Sequence, residues 1–122
     1  MLSLASLCQI VIAAGLINVW MIRYGRPTAF RPDGAENMRE EFRAYGLPDW
    51  AVWAVGTCKL SCAALLLMGA FVPAVTPIAA TAVAVLMLGA VVAHVRVNDP
   101  MAKAVPALSM LGMSSFVVIS TM

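Results

Sequence analysis

Three long stretches without full charges constrain what this 122-residue chain can fold into. Residues 1–22 and 104–122 contain no Asp, Glu, Lys or Arg, and residues 50–95 contain only Lys59. A membrane-spanning helix needs about 20 mostly apolar residues, so the first and last stretches each fit one crossing. The middle stretch is too long for one crossing and is interrupted near its centre by Pro73. This pattern predicts four spanning helices.

Composition supports a membrane protein. Hydrophobic residues make up 62% of the chain and charged residues 11%, whereas about a quarter of a soluble domain is charged. Strands this apolar on both faces would be unusual in a membrane barrel. We therefore predict an all-α fold, an integral membrane four-helix bundle in a single domain over residues 1–122. The expected spanning helices cover about 2–22, 50–72, 76–95 and 104–121.

The charged connection after the first helix, "RPDGAENMREEFRAYGLPDW", has helical order of its own. We expect a short amphipathic helix over about 34–45 that lies at the membrane surface. Asp33 is placed to cap it, with Glu36 completing a pattern like a capping box, and Gly46 ends it. The apolar face of this helix is formed by Met38, Phe42 and Tyr45.

The basic side chains predict the orientation of the chain in the membrane. They fall in the connections between helices 1 and 2 and between helices 3 and 4, at Arg23, Arg26, Arg31, Arg39, Arg43, Arg96 and Lys103. The positive-inside rule then places both connections in the cytoplasm and both termini outside. A net charge of +2 does not suggest nucleic acid as a partner. We expect the lipid bilayer, with other membrane protein chains or further copies of this one.

Lys59 is the least expected residue, because it lies about 13 Å along the second helix from Trp50 at the helical rise of about 1.5 Å per residue. A lysine at the membrane centre costs about 2.5–3.5 kcal/mol on insertion scales. One interpretation is a proton carrier or anion anchor in a polar pocket. The alternative is a structural lysine that extends to the cytoplasmic interface. Candidate partners are Glu41, Asp99, Gln9, Asn18 and backbone carbonyls near Pro73.

His94, the only histidine, ends the third helix. The helix dipole favours an imidazole there even when it has no function, but histidine is also the usual proton-transfer group near neutral pH. One histidine predicts no His-based metal site. The candidate catalytic residues are Lys59, His94, Glu41 and Asp99, and the candidate ligand-binding residues are Asn18 and Trp50.

Two segments resemble the DoxX-like family of small four-helix membrane proteins. They are "YGLPDWAVWAVGTCKLSCAALLL", residues 45–67, and "LMLGAVVAHVRVNDP", residues 86–100. The resemblance implies a four-helix bundle. It also suggests a link to quinone chemistry, because the family takes its name from a membrane subunit of a quinone-linked oxidoreductase. Relatives have been linked to oxidative-stress complexes and chaperone-like roles, and the resemblance assigns no catalytic residues.

Two functions follow as hypotheses. The first is a membrane subunit or partner of a larger membrane complex, with quinone as the cofactor that such a complex would imply. The alternative is a small membrane enzyme of the isomerase, cyclase or hydrolase type that acts on a hydrophobic molecule by acid/base chemistry. A cavity shared by Lys59, His94 and Glu41 would favour the enzyme, whereas a Lys59 that reaches the interface through packed side chains would favour the subunit.

Overall fold

A computed structural model describes residues 3–22, 24–26, 30–31 and 34–121, which are mainly helical and contain no strand. The elements are α1 (Leu4–Ile17, continued by the π-helical segment Asn18–Ile22), α2 (Met38–Ala44), α3 (Asp49–Met68), α4 (Thr76–Arg96) and α5 (Val105–Thr121), with 3-10 turns at Pro73–Val75 and Met101–Ala104. Four of these helices, α1 with its π-helical segment, α3, α4 and α5, are long and apolar enough to cross a membrane. The predicted four-helix membrane bundle is therefore confirmed.

Two helix boundaries differ from the sequence prediction. The helix expected over 50–72 ends at Met68, with Gly69 as its C-cap. Val72, directly before Pro73, has a non-helical backbone with φ of −126° and ψ of 83°, as a following proline favours. The surface helix expected over 34–45 begins only at Met38. Asn37 caps it, since its side-chain oxygen accepts a hydrogen bond from the Glu40 backbone N–H at 2.9 Å. The predicted cap, Asp33, lies outside the described residues.

The spanning helices form a ring in which each packs mainly against two others. Helix α1 contacts α3 and α5, and α4 contacts α3 and α5. Their shared core is rich in alanine and medium-sized aliphatic side chains, which lets the backbones approach closely. Its buried members are Ile12, Ala13, Leu16, Cys62, Ala63, Leu66, Ala79, Ala80, Val83, Met87, Ala107 and Val117.

A second core joins the surface helix α2 to one end of the bundle. The predicted apolar face of α2 is buried there against Trp20, Ala51 and Val52. The rings of Trp20 and Phe42 pack edge to face at 5.9 Å between centroids, a favourable aromatic geometry. Helix α2 therefore covers the end of the bundle instead of lying loosely beside it.

Buried hydrogen bonds stabilise the end of the bundle that lies far from α2. The Gln9 side-chain amide donates to the Leu66 carbonyl and to the Thr76 hydroxyl at 3.3 Å, so one side chain links α1, α3 and α4. Gly69 lies directly beside this contact, and a Cβ atom there would collide with the Thr76 hydroxyl and the Gln9 amide. The absence of a side chain at residue 69 is what lets the three helices meet.

We expect Gly69→Ala to lower the free energy of unfolding by about 1–3 kcal/mol, because the added methyl group overfills a site where polar atoms are already fixed. Gly89→Ala is the matched control, since a Cβ at Gly89 meets nothing within 4 Å. That control should be neutral or stabilising by up to about 1 kcal/mol, because alanine favours helix. Thermal unfolding of both variants in detergent measures the difference. Equal stabilities would contradict the claim that Gly69 is needed for the close contact of α1, α3 and α4.

Candidate functional site

A cavity of about 720 Å³ opens at the end of the bundle that α2 covers. Side chains from α1, the connection to α2, α2 itself, α3, α4 and α5 all contribute to its wall. Its polar lining consists of Asn18, Arg31, Glu41, Lys59, His94 and Lys103, and its apolar lining includes Leu16, Val19, Trp20, Met87, Ala90, Ala107 and Met110. The volume is within the range of about 300–1,000 Å³ that is usual for small-molecule sites.

The π-helical segment of α1 brings Trp20 to this cavity. Such segments are rare and are often found at functional sites. The indole packs against Gly56 of α3, where a Cβ would come within 2.7 Å of the ring. The ammonium of Lys59 lies 5.4 Å from the Trp20 ring centroid, within the range of a cation–π interaction. Gly56 therefore leaves room for the ring on which Lys59 rests.

Arg31 and Glu41 form a buried ion pair above Lys59. Their Nη1 and Oε1 atoms are 3.4 Å apart, and the arginine side chain is only 2% exposed. Arg31 also donates to the backbone carbonyl of Tyr24 at 3.3 Å. Burial raises the pKa of Glu41 above its ordinary value of 4.5, while the positive charges of Arg31, Lys59 and His94 oppose the rise. Glu41 is thus a carboxyl group whose proton is held more tightly than usual.

The end of α4 builds a histidine–carboxylate pair. Asn98 adopts a left-handed backbone with φ of 56°, and the backbone N–H groups of Asn98 and Asp99 donate to the carbonyls of Val95 and His94. This is the Schellman arrangement of a helix end. It returns the Asp99 side chain to the helix, where its carboxylate lies 2.7 Å from Nδ1 of His94. A carboxylate at Nδ1 fixes the orientation and the tautomer of the ring.

Tyr45 completes this group from the end of α2. Gly46, with φ of 79°, and Leu47 close α2 with the same backbone pattern, donating to the Arg43 and Phe42 carbonyls. The Tyr45 hydroxyl then lies 3.2 Å from Nε2 of His94. Burial and the charges of Glu41 and Asp99 raise the pKa of Tyr45, so the phenol stays protonated and can donate to Nε2.

The structure brings most of the candidate residues together. Asn18, Glu41, Lys59 and His94 line the same cavity. Asp99 is not among the lining residues but is bonded to His94. Trp50 stands apart, because it is 72% exposed on the outside of α3 and does not line the cavity. Gln9, a suggested partner of Lys59, is engaged at the other end of the bundle.

Four residues were not selected from the sequence as site residues: Trp20, Arg31, Tyr45 and Lys103. Tyr45 was assigned only to the apolar face of α2, although its position beside the helix-ending Gly46 fixes where its hydroxyl can go. Arg31 and Lys103 were used only as markers of orientation. No local pattern distinguishes Trp20 from an ordinary interfacial aromatic residue, because its role depends on the π-helical segment and on Gly56.

This arrangement is suited to moving protons at the polar end of an apolar cavity. His94, positioned by Asp99, can accept or give a proton at Nε2 when the Tyr45 hydroxyl releases that atom, and Lys59 can donate to an oxygen atom in the same space. Within the described residues, no group of three or more His, Cys, Asp or Glu side chains could hold a metal ion. No Ser, Thr or Cys side chain is among the described residues that line the cavity.

The sequence model of the DoxX-like family matches residues 12–116, which is most of the chain. The match includes the four spanning helices in large part and the whole of α2. It also includes each polar residue that lines the cavity. No curated protein and no solved structure matches the chain.

We expect Glu41→Gln to change the pH dependence of stability. Burial raises the folded-state pKa of Glu41 above 4.5. The contribution of protonated Glu41 to the free energy of unfolding is therefore fully present below pH 4.5 and is lost as the pH rises through the raised pKa. The Gln variant stays neutral, so its melting temperature should rise relative to that of the unsubstituted protein over the same interval. Thermal unfolding across a pH series measures the difference.

The control for this experiment is Glu36→Gln, which removes an exposed carboxylate just before α2. Its melting temperature should track that of the unsubstituted protein at every pH. A Glu41→Gln curve parallel to that of the unsubstituted protein would contradict the assignment of a raised pKa to Glu41.

Proposed function

The chain belongs to the DoxX-like family of small membrane proteins, and on that premise we propose that it binds a hydrophobic small molecule in its cavity and catalyses proton transfer on it. The observation that carries this proposal is the presence of Lys59, His94 and Glu41 in one cavity. Four helices in a bilayer give such a molecule direct access from the lipid. The reaction class that fits is an isomerisation or cyclisation.

His94 is the proposed general acid/base, and Asp99 is its positioning residue. General acid–base catalysis by a placed side chain contributes about 10²–10⁴-fold to a rate. Lys59 would hydrogen-bond to an oxygen atom of the ligand and stabilise negative charge that develops there. A hydrolase with a covalent intermediate is less well supported, because the described lining residues offer no hydroxyl or thiol nucleophile.

A second candidate is a membrane subunit of a larger, quinone-linked complex. Gly89 of α4 and Gly112 of α5 have open space beside them, and such small residues favour close approach of another helix. The cavity also suits a quinone, because Lys59 and His94 can donate to its carbonyl oxygens. A quinone would supply two-electron redox chemistry when bound, and these two side chains would hold and protonate its oxygens.

Purification in mild detergent followed by mass spectrometry of extracted molecules tests the first candidate. We expect the protein to retain a hydrophobic molecule that Ala90→Phe loses, because the phenyl ring would occupy the cavity beside His94. The matched control is Ala64→Phe, which adds the same ring at an exposed position of α3 and should retain the molecule.

With the extracted molecule as substrate, Asp99→Asn and His94→Gln should lower turnover by about 10²-fold or more and leave its binding largely intact.

The same purification separates the two candidates. A co-migrating protein that is lost on Lys59→Met, with no molecule retained in the cavity, would support the subunit and argue against the enzyme. A retained quinone would identify the ligand class directly. Retention of one molecule by both phenylalanine variants would show that the cavity is not its site.

We also propose that the end of the bundle covered by α2 faces the cytoplasm, because the basic residues gather there. In a background without Cys8, Cys58 and Cys62, Arg96→Cys should react with a membrane-impermeant maleimide only after the cells are opened. Ser3→Cys, at the opposite end, should react on intact cells. The reverse pattern would overturn the orientation.

A further inference from the structure

The charges around the cavity do not balance. Both described carboxylates near it are already engaged, since Glu41 is paired with Arg31 and Asp99 with His94. Lys59 and Lys103 also line the cavity, and neither forms an ion pair with a carboxylate in the described part of the chain. Among the residues that the structure describes, the cavity therefore holds two cations without a directly paired carboxylate.

Lys59 is the more costly of the two, because it belongs to the spanning helix α3. The face of Trp20 stabilises its charge only in part, and a ring quadrupole accepts no hydrogen bond as strong as that of a carboxylate. Glu41 acts on Lys59 electrostatically, but its carboxylate is bonded to Arg31. An ammonium group has three N–H donors, and the contact that the described residues show for Lys59 Nζ is the one with the Trp20 ring.

The remainder of the wall suits a hydrophobic body. Leu16 and Val19 of α1, Met87 of α4 and Met110 of α5 line it. Two of these are methionines, whose flexible side chains adapt to the shape of an apolar ligand. A volume of about 720 Å³ suits a single-chain molecule of drug size better than a phospholipid with two acyl chains.

We propose that the ligand is a hydrophobic molecule that ends in an anionic oxygen group, such as a carboxylate, with Lys59 and Lys103 as its cationic partners. This inference rests on the proposed function and specifies the ligand class of the same cavity. Binding of the anion would give Lys59 the charge-assisted hydrogen bonds that the chain does not provide. It would also place the carbon atoms next to the acid group close to His94, where proton transfer is proposed.

The three tryptophans provide a direct measurement. Trp20 lines the cavity, whereas Trp50 and Trp53 are 72% and 80% exposed. A Trp50→Phe/Trp53→Phe double variant therefore carries Trp20 as its sole tryptophan. Bromine quenches indole fluorescence on contact. We would titrate this protein, in phosphatidylcholine nanodiscs, with a dodecanoic acid brominated near its carboxyl group and with the matching brominated dodecanol.

We expect the acid to quench Trp20 at concentrations roughly ten- to a hundredfold lower than the alcohol requires, as the strength of a charge-assisted hydrogen bond predicts. In the same background, Lys59→Met should abolish this preference and Lys103→Met should reduce it. Arg96→Met is the matched control, because it removes an exposed positive charge from the same end of the bundle without altering the cavity lining. It should leave the preference unchanged.

The outcomes separate the two proposals. Equal quenching by acid and alcohol would overturn the anionic ligand class and leave the proposed hydrophobic site standing. Quenching by neither, in a protein with the unchanged helical circular dichroism spectrum, would overturn both. A further titration replaces the free acid with phosphatidylglycerol brominated in one acyl chain. If the brominated lipid quenches Trp20 where the free acid does not, and Lys59→Met removes the quenching, the result would support an anionic ligand whose source is a lipid headgroup.

Discussion

A lysine within a membrane-spanning helix must receive its partners from the protein, because hydrocarbon offers none. In this chain the requirement is met only in part, at the end of the bundle that α2 covers. The π-helical segment of α1 turns Trp20 toward α3, Gly56 leaves room for the ring, and the Lys59 ammonium rests 5.4 Å from its centroid. Helix α2 then brings Glu41 close enough to act on Lys59. The cavity exists because these groups surround the lysine without filling the space beside it.

Two helix ends of the same backbone geometry position His94, the proposed proton-transfer group. Helix α2 ends in a left-handed Gly46 and α4 in a left-handed Asn98, and each end closes with the paired hydrogen bonds of a Schellman motif. One end sets Tyr45 against His94, and the other folds Asp99 back onto it. The geometry of the group is therefore fixed by backbone structure, which is stiffer than contacts between long side chains.

The sequence was sufficient to predict the number of spanning helices and the end of the bundle at which charged groups collect. Both depend on hydropathy and charge, which are local properties of the chain. The pairing of His94 with Asp99 could also have been predicted. Asparagine tolerates the left-handed backbone that ends a helix, and Asn98 has it here, which turns Asp99 back toward His94. The cavity itself could not be predicted. It depends on a π-helical segment and on the contact of Trp20 with Gly56, which bring distant parts of the chain together. The start of α2 was misplaced because Asn37 caps it later than the acidic pattern suggested.

The two ends of the bundle differ in packing and in charge. At the end far from α2, Gln9 joins three helices through buried hydrogen bonds, and Gly69 brings them into close contact. The described side chains of that end and of the alanine-rich core are uncharged, so they add no cost for burying a charge. At the other end, the cavity holds Lys59 and Lys103, which pair with no carboxylate among the described residues, and the buried ion pair of Arg31 and Glu41. Such groups are held at the expense of stability, and the tightly packed end offsets that cost. On the proposed function, a bound anion would supply the missing partner of the two lysines.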